Sequence, residues 1–359
     1  MRVGIDVSQV VYGTGVSVYT KNLVENLLRL DHNNEYVLFA GSLRRKADIL
    51  SLLPTTKVFP IPPMLADVIW NRLHMFPIEK FIGNIDVFHS SDWSEPPSSA
   101  FKVTTIHDLY PIKFPKLING VVRDVHKRRL SWVFQESKRI IVPSNSTKND
   151  LLEIGLSENL IRVIPEAPTL TRPNDSLIDS VKSKYGIVGD YLISIGATRL
   201  KNTKAIVKSF HLARPGKDLK LIVVGRPSGI EFPVERNVRF LGHVDSNDLA
   251  ALLSGSSGLL FASLYEGFGI PILDAFNCSV PVVTSNISSM SEVAGNAAIL
   301  VDPTSIESIT EGIEKVIRGP KAYIDKGLRR VKDFSWEKTA KMTLDVYREA
   351  SIADKEAQQ

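Results

Sequence analysis

A chain of 359 residues, 43% hydrophobic and 23% charged, is longer than one ordinary domain and has room for two cores. Its net charge of +5 is mild and spread out, which suits anionic ligands or an anionic membrane surface and argues against a nucleic-acid partner. No apolar run approaches the ~18 residues of a membrane span, and the single cysteine, Cys278, excludes an internal disulfide and stands in an apolar stretch that suits core packing.

The chain opens on Met1-Arg2-Val3-Gly4-Ile5-Asp6, which lacks the pattern of a secretory leader and goes straight into a strand, so a cytoplasmic location is expected. Strands follow in order over Arg2 to Asp6, Tyr36 to Ala40, Lys57 to Ile61, Asp86 to His89, Lys102 to Ile106, Lys138 to Val142 and Ile161 to Ile164. Between the first two lies a helix with Val18, Leu23, Leu27 and Leu30 on one face. Val121 to Glu136 reads as a helix carrying Arg123, Lys127, Arg128 and Arg129 beside Val122, Leu130, Trp132 and Phe134, a composition suited to an anionic membrane or to a surface helix with its apolar side inward. Prolines 165, 168 and 173 mark a break, and residues 171–190 are expected to be a linker with at most a short helix.

Beyond the break come strands at Tyr191 to Ile195, Leu219 to Val224, Val238 to Leu241, Gly258 to Ala262, Pro281 to Thr284 and Ala298 to Val301, alternating with helices such as Asn202 to Leu212 and Ser246 to Ser254. Such alternation is the signature of parallel α/β architecture. The expected organisation is a doubly wound, acceptor-side domain at 1–170, a second at 191–335, and a helix at 336–359 with Trp336, Ala340, Leu344 and Tyr347 as its apolar stripe, able to pack on either domain, including back on the first. Ligands of such sheets bind beyond the carboxyl ends of the strands, and a cleft between the domains is the expected place.

The run from Ser263 to Ala275 is the most informative. A buried strand precedes it, and Pro271 suits the first position of a helix, where a missing N–H costs nothing. The loop between carries Gly267 and Gly269, which can bring backbone N–H groups and the positive end of a helix up to an anion. Two acids bracket it: Glu266 at the loop's mouth and Asp274, expected on the helix's first turn, so that both can face one ligand.

With these residues the chain resembles the retaining glycosyltransferases of family 4, which have the GT-B fold of two Rossmann-like domains facing each other across a cleft. The resemblance covers most of the chain and is strongest at Tyr191 to Asn202, Leu221 to Gly225, Val238 to Val244 and Phe261 through Asp302. The family's paired glutamates fall here on Glu266 and on Asp274, a shorter acid. In the first half Gly13-Thr14-Gly15, Phe88-His89-Ser90, Thr105-Ile106-His107-Asp108 and Val142-Pro143-Ser144 fit the family pattern. Val18 stands where a dinucleotide fingerprint wants a third glycine, which argues against a nicotinamide cofactor.

The resemblance implies a nucleotide-sugar donor held at Gly13, Gly15, Gly196, Gly225, His243, Val244, Glu266, Gly267, Phe268, Gly269, Ile270 and Asp274, with His107, Glu266, Lys201 and Arg199 as the catalytic set. Glu266 would bind hydroxyls of the donor sugar, Asp274 the ribose, backbone near His243 and Val244 the base, and Arg199 and Lys201 the diphosphate. In the family the two cations are adjacent, whereas Leu200 separates them here. His107 would touch the sugar near its primary hydroxyl. Transfer would be front-face, with the leaving phosphate helping to deprotonate the acceptor. No Asp-x-Asp pair and no His-x3-His pattern occurs, so metal independence is expected and no cofactor beyond the donor.

The acceptor is expected to be a saccharide or a lipid-linked saccharide, with Tyr12, Gly15, Trp93 and Tyr110 as candidate contacts and peripheral membrane contact compatible with it. GDP-mannose is the first donor expectation, in polysaccharide or O-antigen assembly. Two alternatives stand beside transfer: a nucleotide-sugar epimerase on the same fold, and a nucleotide-sugar-binding subunit without turnover, to which the shorter acid at Asp274 gives the only support.

Overall fold

The computed structural model describes residues 1–213, 218–228 and 237–357. The chain divides into two compact units, Met1–Glu166 with Trp336–Gln359, and Ala167–Ser335.

The first unit holds strands β1 (Arg2–Asp6), β2 (Glu35–Gly41), β3 (Lys57–Phe59), β4 (Val87–Ser90), β5 (Phe101–Thr105), β6 (Arg139–Val142) and β7 (Ile161–Val163). They form a seven-stranded parallel sheet in the order β3-β2-β1-β4-β5-β6-β7. The second unit holds β8 (Tyr191–Ile195), β9 (Lys220–Val224), β10 (Val238–Gly242), β11 (Gly258–Phe261), β12 (Val282–Ser285) and β13 (Ile299–Val301). Their sheet is parallel, six-stranded, and ordered β10-β9-β8-β11-β12-β13. Both orders are doubly wound, with reversal points between β1 and β4 and between β8 and β11, where a ligand crevice forms.

Alternation along the strands explains why both faces of each sheet are covered. In the second unit Tyr191, Ile193, Ile222, Val224, Leu259 and Phe261 enter one core cluster. Their neighbours Leu192, Leu221, Val223 and Leu260 enter the other. The Ile306–Arg318 helix lies so close over β12 and β13 that a Cβ at Gly312 would stand 2.6 Å from Val301 Cγ1 and 2.9 Å from Val283 Cγ1, which is why glycine occupies that position.

One boundary differs from the sequence expectation. Residues 171–190 are no linker: they contain the Asp175–Lys184 helix, started by Asn174 accepting from the Leu177 N–H, and Ile178, Val181 and Ile187 are buried in the core of the second unit. The second unit thus begins at Ala167. The Trp336–Ala357 helix belongs to the first unit, where Glu349 takes a two-pronged hydrogen bond from Arg162 (2.9 and 2.8 Å) and a third from Arg139. The Tyr347 hydroxyl hydrogen-bonds His89 Nδ1 at 2.7 Å, Thr105 Oγ1 lies 2.8 Å from Nε2, and burial, with the nearby charges of His107 and Arg129, pushes His89 down to about 3. His89 is therefore a neutral packing histidine.

The Gly120–Glu136 helix also differs from expectation. Its inward face is Val125, Arg129 and Val133, and Arg128 reaches buried Asp67 with two hydrogen bonds (3.1 and 2.7 Å). Trp132 stacks on His74 with ring centroids 3.6 Å apart. Two of the four cations expected on a surface face are thus engaged inside the unit.

Candidate active site

In the second unit the expected donor residues collect at the β8/β11 reversal. After β8 the chain turns through Gly196, whose φ of +94° suits glycine and whose Cβ would fall 2.6 Å from Lys201 Cγ. Gly225, after β9, has φ +120° and donates its N–H to Gly242 O at 2.7 Å; its Cβ would lie 3.3 Å from Gly196 Cα. These glycines let three loops come within backbone distance of one another. His243 and Val244 continue from β10, the first exposed and the second buried.

Lys201 Nζ donates to Glu266 Oε1 at 2.6 Å and stands 5.0 Å from the centre of the Phe261 ring. The loops that carry the pair are tied by Leu264 N–H to Leu200 O at 2.9 Å and by Asn202, whose side chain donates to Ala262 O (3.1 Å) and Pro303 O (2.7 Å) from a left-handed backbone position. Arg199 is exposed on the same loop.

The Gly267–Gly269 loop is clamped by its carbonyls. Ser288 Oγ donates to Glu266 O (2.7 Å), and Ser289 Oγ donates to Glu266 O and to Phe268 O (both 2.8 Å). Gly269 then caps the Ile270–Asn277 helix in a left-handed conformation, and no side chain caps that end. With the carbonyls of Glu266 and Phe268 occupied from behind and no cap in front, the N–H groups at this helix start supply a site for negative charge. Pro271 is the second helical residue rather than the first.

Asp274 departs from expectation. It lies on the second turn, is 5% exposed, and has its own partners: its Oδ1 accepts from the backbone N–H of Thr169 (2.6 Å) and Leu170 (2.8 Å). Asn277 adds a bond to Leu170 O at 2.8 Å. The shorter acid thus ties the segment that opens the second unit to this helix. Burial pushes its carboxyl up to about 6, against the pull of the Leu170 and Thr169 N–H groups.

In the first unit His107 follows β5. Its Nδ1 pairs with Glu166 Oε1 at 3.0 Å, and Tyr19 meets its ring edge-on at 4.6 Å. Burial alone would lower its pKa, yet the Glu166 hydrogen bond and charge, with Asp92 and Asp108 adding, hold it above the ordinary value. Gly13 and Gly15 flank the start of the Gly15–Leu30 helix after β1, both with open space where a Cβ would be. Trp93 donates its indole N–H to Pro63 O and Tyr110 its hydroxyl to Leu117 O, so both tips are engaged within the fold. Sequence reasoning missed Glu166, Ser288 and Ser289. The signals were a lone acid in the apolar run Ile164-Pro165-Glu166-Ala167-Pro168 and a serine pair soon after a strand. Among the described residues no group of three or more His, Cys, Asp and Glu is placed to hold a metal ion.

Two domain families match successive parts of the chain: Glycosyltransferase Family 4 over residues 13–168 and Glycosyl transferases group 1 over residues 181–329. The chain is a glycosyltransferase of the family 4 type. Among its relatives, the O-antigen chain mannosyltransferase B of Escherichia coli is 25% identical over 288 residues, 73% of this chain and 74% of that protein. A glycogen synthase of Mycobacterium tuberculosis is 26% identical over 308 residues, 76% of this chain and 71% of that protein. The Anabaena protein HepE, solved in complex with UDP-glucose, superposes with a TM-score of 0.73 at 14% identity, covering 97% of this chain and all of that one. The glycosyltransferase thus has the GT-B fold, with Lys201, Glu266 and the Gly267–Gly269 loop within its group 1 domain and His107 within its family 4 domain.

The raised carboxyl of Asp274 gives the enzyme a defined pH response. A carboxyl whose folded pKa exceeds its unfolded value contributes stability that is present below about pH 4 and is lost as pH rises through about 6. Compared with Asp274→Asn, the native chain should gain about 1 kcal/mol between pH 7 and pH 5. Paired thermal melts measure the difference, and a gap that stays constant or shrinks on acidification refutes the assignment.

Proposed function

We propose that this glycosyltransferase moves a hexose, with mannose as the first choice, from a nucleotide-diphosphate sugar to a saccharide or lipid-linked acceptor with retention of configuration. The observation that carries the reading is the Lys201–Glu266 pair set beside the uncapped start of the Ile270–Asn277 helix. Breaking the anomeric C–O bond leaves charge on a diphosphate. Lys201 and Arg199, the amides around Gly267, Phe268 and Gly269, and the dipole of the helix beginning at Ile270 are fixed donors for that charge. Glu266, oriented by Lys201, hydrogen-bonds hydroxyls of the donor sugar. Gly196 and Gly225 give the diphosphate access to backbone, and His243 and Val244 lie on the loop that receives the base. Asp274 supports this loop system through Thr169 and Leu170 rather than serving as a direct ribose ligand.

His107, with Nδ1 engaged by Glu166, keeps Nε2 for the transfer reaction, and Gly13 and Gly15 leave open space at the start of the first helix. Transfer is front-face, the departing phosphate taking the acceptor proton. The set of fixed donors makes a metal clamp unnecessary. The O-antigen mannosyltransferase among the relatives supports mannose, and the UDP-glucose bound by HepE supports a nucleotide-sugar donor.

A lipid-linked acceptor is favoured by one surface. Met64, Leu65, Val68, Leu73, Met75 and Phe76 are exposed within a single segment, with Arg72 among them and the Gly120–Glu136 helix packed beside it, bringing Lys127. Apolar side chains with interspersed cations suit an anionic lipid surface, on which the enzyme would sit as a peripheral protein on the cytoplasmic face. Among the described residues no helix is long and apolar enough to cross a membrane.

In a thermal-shift panel of UDP, GDP, ADP and TDP sugars, GDP-mannose should stabilise the enzyme most, by about 2.7 kcal/mol at 100 times its dissociation constant. Glu266→Gln should lower kcat/KM for transfer about 10²–10³-fold while leaving the melting temperature within a few degrees; epimerised sugar without acceptor, or a flat panel, rejects the reading. Chelator should leave turnover unchanged, and a loss restored by magnesium or manganese counts against metal independence. Vesicles containing phosphatidylglycerol should co-sediment the native chain but not the Leu73→Glu/Phe76→Glu double variant, whereas equal sedimentation of the two removes this surface as the contact.

A further inference from the structure

His107 can enter a transfer reaction in either of two forms: a neutral imidazole whose Nε2 takes up a proton, or an imidazolium whose Nε2–H only donates. The surroundings of the ring choose between them. Glu166 Oε1 lies 3.0 Å from Nδ1, with the imidazole 11% and the carboxylate 7% exposed, so water and salt screen the pair little. Thr147 Oγ1 donates to the His107 carbonyl at 3.4 Å, and the Tyr19 ring stands edge-on 4.6 Å from the imidazole. Nε2 makes no hydrogen bond among the described residues and is the end of the ring left for a ligand.

The charges around the ring lean one way. Burial on its own disfavours the cation, but the hydrogen bond and charge of Glu166, after β7, outweigh it, with Asp92, after β4, and Asp108, the next residue, acting in the same sense. Burial lowers His89 to about 3 and lowers His126 as well, so neither adds positive charge. Burial also pushes the Tyr19 phenol far up, which keeps it neutral, and raises Asp6, whose carboxylate takes two hydrogen bonds from Ser8. Arg129, from the Gly120–Glu136 helix, is the opposing cation. It donates to Thr104 Oγ1 (2.5 Å) and Thr105 O (3.3 Å) and faces Asp92 at 3.7 Å, which offsets its charge.

We infer that Glu166 is a positioning residue that keeps His107 an imidazolium, so that Nε2 serves transfer as a hydrogen-bond donor to a substrate oxygen and not as its base. The inference rests on the transfer reaction proposed above and agrees with its proton route: a proton that His107 cannot take from the acceptor goes to the departing phosphate.

The test compares the full chain with Glu166→Gln, which keeps the shape and an oxygen to accept from Nδ1 but removes the charge, and with Glu166→Asp. An activity carried by the imidazolium is present below the His107 pKa and is lost as pH rises through it. With GDP release from GDP-mannose as the assay and methyl α-D-mannopyranoside as acceptor, the alkaline limb of kcat/KM should move down by about one pH unit or more in Glu166→Gln. Activity of that variant should return on acidification, and the limb should move back up in Glu166→Asp. Heteronuclear NMR of the imidazoles, with His107 assigned by its absence in His107→Gln, reads the same group without turnover. His107 should be more than half imidazolium at pH 6.5 in the native chain and less than half in Glu166→Gln. A native His107 less than half protonated at that pH overturns the inference. Active proteins whose alkaline limbs coincide also overturn it and leave the transfer reaction standing. A His107 titration that moves as expected, with no GDP released by any of the three proteins, supports the Glu166 assignment and rejects the transfer reading instead.

Discussion

The pairing of β8 with β11 is the constraint on which the arrangement around Lys201 and Glu266 depends. These strands are neighbours in register, Gly258 beside Leu192 and Leu259 beside Ile193, although the chain leaves them in opposite directions across the sheet. With right-handed crossovers, their following helices must cover opposite faces, so the two loops part and leave backbone uncovered between them. Lys201 and Glu266 stand on those two loops and join them by one short ion pair. Because Phe261 underlies the ammonium and the serines of the Ser288–Ala294 helix hold the Glu266 and Phe268 carbonyls, the groups are positioned before any ligand arrives. Such preorganisation is what the electrostatic stabilisation proposed for this site requires.

The same topological rule in the first unit brings β1 and β4 together, but the groups there are buried rather than open. Asp6, His89, Ser90, Glu95, Lys102 and Arg129 all lie below the surface, and each needs a partner. Lys102 is shared by Pro96 O, Glu136 and Glu95, and Ser90 bridges Glu95 and Thr104. His89 is satisfied only because Tyr347 comes back from the far end of the chain. The terminal helix is therefore linked through His89 to Thr105, and is held in place by the two arginines on Glu349.

Much of the fold was legible because parallel strands buried on both faces write themselves as short β-branched runs. Every expected strand is present, with ends shifted by two residues at most. The linker was misread because prolines at 165, 168 and 173 carry a turn signal, whereas burial of Ile178, Val181 and Ile187 depends on a core assembled from strands downstream. At the site, the glycines and Glu266 were visible since their spacing to a strand and a helix start implies their backbone role. Asp274 was placed by the same spacing and misjudged, because two residues on one helix can face different partners once Thr169 and Leu170 arrive beside it.

The sequence by itself determined the α/β class, the strand succession, the family and the loop at Glu266, for all of these follow from local periodicity and from short motifs read along the chain. Only the tertiary structure decided which groups share a charge: Lys201 with Glu266, Glu166 with His107, Arg128 with Asp67, and Asp274 with the backbone of Thr169 and Leu170. Such pairs join residues from 59 to 105 positions apart, and no local pattern records them, because a buried charge is satisfied by whatever the fold carries to it.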